Sequence, residues 1–137
     1  MINKERLTKI LRLFPVIRLA YLIGSVAKKN QRQDSDLDIV LVVESQDLNK
    51  IDYGKLYSSL SKTIQHQNLD LRLVSLEQND PLFLFQVIGG KLLYSKEEKE
   101  RVAFEKKSML NYFDTQHLRN IFHYYLDKRI SRGTYGR

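Results

Sequence analysis

Gly24-Ser25-Val26-Ala27 and, after a polar gap, Asp34-Ser35-Asp36-Leu37-Asp38-Ile39-Val40-Leu41-Val42-Val43 decide how this chain is read. The residues before the glycine, Val16-Ile17-Arg18-Leu19-Ala20-Tyr21-Leu22-Ile23, form a largely apolar run that predicts a buried strand. Ile39 to Val43 is unbroken aliphatic and rich in β-branched residues, which predicts a second buried strand. A Gly-Ser turn therefore leaves one strand, and two aspartates open the next. Strand residues two apart share a face, so Asp36 and Asp38 are expected to project together. Carboxylates held side by side repel unless a cation lies between them. A hard oxygen donor set of that size suits Mg²⁺, which takes one or two protein carboxylates and completes its shell with water and phosphate.

Working outward toward the N-terminus, Leu7, Ile10, Leu11 and Phe14 recur at helical spacing between Asn3, a plausible N-cap, and Pro15. Proline disfavours helix in the residue before it, so a short amphipathic helix ends there. On the other side, Ser25 to about Lys29 predicts a short helix, and Asn30 to Ser35 a polar loop. The second strand covers about Leu37 to Val43, followed by a polar connection from Glu44 to Lys50. Ile51, Leu56, Leu60 and Ile64 then recur about every four residues, a helix ending near His66 to Asn68.

Leu69-Asp70-Leu71-Arg72-Leu73-Val74 alternates and predicts a third strand, with the leucines on one face and Asp70 and Arg72 on the other. Asp80 and Pro81 are N-cap and first residue of an almost wholly apolar helix, Leu82 to Ile88, which Gly89-Gly90 ends. Lys91 to Tyr94 is a candidate short edge strand. From about Lys96 a long helical pattern runs to about Arg132, charged first and aromatic later.

With 137 residues, 42% hydrophobic and 28% charged, one domain spanning residues 1–137 with its own core is the simplest organisation. The absence of cysteine excludes disulfides and thiolate metal sites. No run approaches the roughly 20 apolar residues of a membrane span, and Asn3-Lys4-Glu5-Arg6 lacks the apolar core of a signal peptide. A cytoplasmic location is the expectation. The net charge of +7 points to acidic partners such as nucleotides. It is spread along the chain without the basic–aromatic interleaving of a single-strand binding groove, so stable nucleic-acid binding is not expected.

The chemistry follows from the central stretch. A glycine after a buried strand lets a ligand approach the backbone closely. Ser25, where the next helix is expected to begin, adds a hydroxyl donor to free backbone N–H groups and the positive end of the helix dipole. Lys28 and Lys29 would neutralise more of a triphosphate, or simply form a solvated helix face. Phosphoryl-group chemistry needs chiefly positioning and charge stabilisation, which such a clamp supplies. Two metal ions call for a third carboxylate. Asp70 is the candidate, as metal ligand and general base toward an attacking hydroxyl. Pairing with Arg72 is the competing reading of Asp70.

Gly24-Ser25, a gap, then Asp36-Leu37-Asp38 at the head of an aliphatic strand resembles the signature of the DNA polymerase β-type nucleotidyltransferase superfamily. The short chain resembles its minimal nucleotidyltransferase (MNT) branch, and the likeness covers about Val16 to Tyr94. The resemblance implies an α+β fold, a small mixed β-sheet flanked by helices, with a C-terminal helical extension over about residues 96–132. It implies Asp36, Asp38 and Asp70 as ligands of Mg²⁺, two ions, and Gly24, Ser25 and Lys28 as nucleotide-phosphate binders. It also implies transfer of AMP from ATP with release of pyrophosphate. MNT proteins commonly accompany HEPN-domain proteins as antitoxins, and members can silence the toxin ribonuclease by attaching AMP to a tyrosine. A cognate HEPN toxin is therefore the expected partner. Neutralisation by binding alone and transfer to a small molecule are the alternative functions. Family members often carry Ala-Arg-Gly after the Gly-Ser turn, where this chain has Ala27-Lys28-Lys29. Lysine keeps the charge and loses bidentate geometry.

Other features have plainer readings. Asp34 is expected to be a loop residue. His66, His117 and His123 lack metal-ligand spacing, and the resemblance of Arg119 and His123 to the HEPN ribonuclease motif fails on spacing. Met109, Phe113, His117, Ile121 and Tyr125 repeat every four residues, with Leu110, Phe122, Tyr124 and Leu126 widening the face. Most of this stripe is expected to pack on the sheet, with any excess forming a partner surface.

Overall fold

The computed structural model describes residues 3–24, 37–64, 68–77 and 80–131. Asn3 starts the first helix, α1 (Lys4–Arg12), by accepting the backbone N–H groups of Glu5 and Arg6 at 3.1 and 3.3 Å. Glu5 in its first turn and Lys9 and Arg12 in its last complement the helix dipole. Leu7 and Leu11 face inward, and the chain turns before Pro15 into β1 (Ile17–Ile23). Next come β2 (Leu37–Val43), a 3-10 turn (Ser45–Lys50), α2 (Tyr53–Ile64) and β3 (Leu69–Ser75). The chain continues through α3 (Pro81–Ile88), β4 (Lys91–Ser95) and α4 (Glu98–Ser131). The connection expected to be merely polar between residues 44 and 50 is the 3-10 turn, held by Glu77, which accepts from the Ser45 hydroxyl and backbone N–H at 2.6 and 2.9 Å. The short helix expected from Ser25 to Lys29 lies outside the described residues.

The four strands lie in the order β3-β2-β1-β4. β1 runs antiparallel to β2 and β4, while β2 and β3 are parallel, so the sheet is mixed. Both faces are covered, which is why β1 and β2 are apolar almost without interruption. On one face α1 and α2 bring Leu7, Leu11, Leu56 and Leu60 onto Ala20, Leu22, Ile39, Leu41, Leu69 and Leu71. On the other, Leu84 and Val87 of α3 and Phe104 of α4 cover Leu19, Tyr21, Ile23, Val40, Val42 and Val74. An irregularity in the β1–β2 register between Ile17 and Leu19 lets these two residues serve opposite faces. Each fully buried leucine contributes about 1.5–3 kcal/mol.

The edge strand β3 is closed by α2. Tyr53 and Tyr57, one helical turn apart and stacked at 6.2 Å, donate to the carbonyls of Leu71 and Leu69 at 2.8 and 3.1 Å. Outward-facing backbone acceptors are thereby satisfied where another strand could otherwise add.

α4 is fastened to the sheet only through its first half. Arg18 of β1 donates to Glu100 at 3.0 Å and to Glu44 at 3.3 Å, and the Tyr21 hydroxyl donates to Glu105 at 2.7 Å. Burial first, then the Glu105 carboxylate, push the Tyr21 hydroxyl far above its ordinary range, so it stays a donor. Beyond this anchor the expectation of a packed stripe fails. Phe104 and Ser108 are the buried residues of α4 among those described, whereas Met109, Phe113, Ile121, Phe122, Tyr124 and Tyr125 are exposed. Length is the reason: seven-residue strands span about 23 Å, and a 34-residue helix about 51 Å.

Candidate active site

Three strands meet at one end of the sheet. Ile23, the last residue of β1, pairs with Asp38, the second residue of β2. Asp38 in turn is in register with Asp70, the second residue of β3. Adjacent strands lie about 4.8 Å apart, and residues in register point to the same side. Both carboxylates are half-buried. They belong to the face that carries Val40, Val42 and Val74, beneath α3 and α4. The alternation expected for β3 holds, with Leu69, Leu71 and Leu73 on the opposite face.

Gly24 follows Ile23 with φ +87°, a conformation that disfavours every residue with a side chain. A β-carbon there would stand 2.7 Å from Asp38 Oδ2. The glycine thus serves two needs, the turn out of β1 and space for a carboxylate against the backbone. Gly90 is the second close approach. Its β-carbon would meet the Leu22 carbonyl at 2.4 Å, so the turn after α3 is pressed onto the end of β1.

Asp70 also realises the competing reading, since Arg72 Nε lies 3.5 Å from its carboxylate. Side-chain exposures of 55% and 46% make this a surface ion pair, worth about 0–1 kcal/mol. Such a pair yields readily to a divalent cation, so the two readings of Asp70 are compatible. The Arg72 guanidinium also lies 5.9 Å from the Phe83 ring centre, which holds it toward α3. Tyr53, which sequence reading missed, sits close enough that the Asp70 charge adds to partial burial in pushing its hydroxyl above the usual value. Only the spacing of two tyrosines four residues apart could have hinted at it.

Asp36, Ser25 and Lys28 lie outside the described residues, as do Asp34, Lys29 and His66. Among the described residues no group of three or more His, Asp or Glu converges. The structure brings together Gly24, Asp38 and Asp70 of the six expected site residues. His117 and His123 are exposed on α4, away from one another's turn. Arg119 lies 4.1 Å from the Tyr112 ring centre and donates to Thr115 on the same helix.

The site is thus a positive-φ glycine turn set against in-register carboxylates at one end of a mixed sheet. The family model described as polymerase beta, nucleotidyltransferase matches residues 5–99, and the chain belongs to that family. Among curated proteins no match is found. Among solved structures the chain is similar to one from a toxin–antitoxin complex with AMP-PNP, at 26% identity and a TM-score of 0.65, covering 94% of this chain and 99% of the other. It is also similar to a chain of a complex of tri-AMPylated Shewanella oneidensis HEPN toxin with MNT antitoxin, at 25% identity and a TM-score of 0.60, covering 93% and 96%. A chain of the toxin–antitoxin MntA-HepT shows 25% identity and a TM-score of 0.59, covering 93% and 97%. No helix among the described residues is long and apolar enough to cross a membrane.

Proposed function

We propose that this nucleotidyltransferase transfers AMP from ATP to a hydroxyl of a partner protein, and acts in the cytoplasm as the antitoxin of a HEPN toxin. The observation that carries this reading is the register of Asp38 with Asp70 beside Gly24. The likeness to antitoxin chains solved with AMP-PNP and with an AMPylated HEPN toxin supports the nucleotide and the acceptor class.

Asp38 and Asp70, with Asp36, are the residues to hold Mg²⁺, two ions in all, because hard carboxylate oxygens on neighbouring strands match its preference. Bound Mg²⁺ supplies Lewis-acid stabilisation of charge on the phosphoryl oxygens. Gly24 keeps the backbone open to the triphosphate, while Ser25 and Lys28 donate to its oxygens. The acceptor hydroxyl forms its bond to the α-phosphorus as the bond to the departing pyrophosphate breaks. Asp70 is placed to take the hydroxyl proton.

The test is co-incubation of the chain with its HEPN partner, ATP and Mg²⁺, followed by intact-mass measurement of both proteins. A gain of one or more AMP units on the partner is expected. An unchanged mass with both proteins folded would overturn the proposal. Arg72→Met removes the cation that competes for Asp70. Mg²⁺ is then expected to bind a few-fold more tightly, following from an ion pair of about 0–1 kcal/mol. Calorimetric titration of Mg²⁺ into the nucleotide-free protein measures it.

A further inference from the structure

The direction of α4 can be followed from its contacts with β1. Glu100 meets Arg18 near the start of that strand, and Phe104 and Glu105 meet Tyr21 further along, the rings 6.2 Å apart. β1 then ends at Ile23, beside Asp38. The helix therefore advances along β1 toward the carboxylate end, on the face that carries Asp38 and Asp70. Tyr112 stacks on Phe85 of α3 at 3.9 Å and Phe113 meets the same ring edge-on at 6.1 Å, the last ring contacts of α4 with the body among the described residues. From there to Ser131 about 28 Å of helix continues past the end of the sheet.

This overhang exposes apolar residues over much of its circumference. Leu118, Phe122 and Tyr125 are 67%, 64% and 62% exposed, and Ile121, Tyr124 and Ile130 are exposed as well. At 100° per residue these positions span an arc of about 240°, wider than a single stripe, while Gln116, Asn120, His123 and Asp127 occupy the remaining side. Apolar residues over more than half of the circumference need cover on more than one side, as a groove between helices gives. The matches to antitoxin chains leave fewer residues of this chain unmatched than the overhang contains, so the arm is partly shared with chains solved in toxin–antitoxin complexes.

We propose that the distal half of α4 is the docking arm for the protein acceptor: a helical partner receives residues 113–130 in an apolar groove and is thereby held with its hydroxyl over Asp38 and Asp70. This rests on the transfer reaction proposed above and assigns the surface that selects its substrate.

Leu118→Asp combined with Phe122→Asp alters two exposed positions. Transfer of AMP to the HEPN partner is expected to fall at least tenfold in kcat/KM, with most of the change in KM. Helix content by circular dichroism and the stabilisation given by Mg²⁺ with a non-hydrolysable ATP analogue are expected to stay unchanged. Tyr124→Ala with Tyr125→Ala, which adds no charge, should weaken transfer in the same direction. An unaltered KM in both variants would overturn the docking arm while leaving the transfer reaction standing. Failure of the unaltered chain to transfer AMP, with the partner still captured and released by the same substitutions, would overturn the reaction and leave the arm. A stable dimer of the isolated chain, dissociated by these substitutions, would show that a second copy is the occupant and sink the proposal.

Discussion

Asp38→Asn is expected to lower AMP transfer on the order of 10³-fold or more while leaving the protein folded. The substitution conserves shape and removes one charge from the carboxylate pair proposed to hold Mg²⁺. Metal-ion stabilisation of the reacting phosphoryl group is worth several kcal/mol, and each 1.36 kcal/mol is tenfold in rate. Folding has less at stake. Asp38 is half-buried at the end of a strand, and its pairings in the sheet are made by backbone to Ile23 and Asp70. Circular dichroism of the Mg²⁺-free variant checks that the fold is kept. The rise in melting temperature on adding Mg²⁺ should shrink. Full transfer by the variant would refute the site. Retained protection against the toxin without transfer would show that binding suffices for neutralisation.

How much of this could be read before the structure was known depends on what each residue's role requires. The strands β1 and β2 were legible because both faces of the sheet are covered, leaving long aliphatic runs punctuated by glycine and acid. Asp38 was legible for the same reason, as a charge at the head of a strand that otherwise buries everything. That Asp38 lies near Asp70 was expected from the need for a third carboxylate and from the family resemblance, not from the strands themselves, since the alternation of a strand reveals its faces but not its neighbour or register. Asp36, Ser25 and Lys28 remain sequence expectations, for they fall outside the described residues. The aromatic stripe of α4 shows the limit from the other direction. Helical periodicity tells which residues share a face, but not whether anything stands opposite. That a helix this long on so small a domain outruns its body was legible from its length, and the 34-residue α4 beside seven-residue strands bears that out.

Gly90 marks a constraint that no local pattern announces, and Gly90→Ala is expected to destabilise the fold by about 1–2 kcal/mol. The competing effects can be weighed. Alanine restricts the unfolded chain more than glycine does, a gain of about 0.4–1 kcal/mol. Against it, the new β-carbon would lie 2.4 Å from the Leu22 carbonyl and 3.0 Å from Ile23 Cγ2. The carbonyl is backbone, and Leu22 is paired with Ile39 on one side and Lys91 on the other. Relief therefore requires moving an inner strand or parting β4 from it, and overpacking of this kind typically costs about 1–3 kcal/mol or more. The clash wins. For a chain of 137 residues the melting temperature should fall by roughly 5 °C, measurable by calorimetry or circular dichroism. Gly89→Ala is the internal control. Its β-carbon would meet the Phe85 and Gln86 carbonyls at 3.4 and 3.6 Å, ordinary van der Waals contact, and its φ of −77° is open to alanine. That substitution should be neutral or slightly stabilising. Equal losses from the two variants would mean that helix termination, rather than contact between the α3–β4 turn and β1, makes this glycine pair necessary.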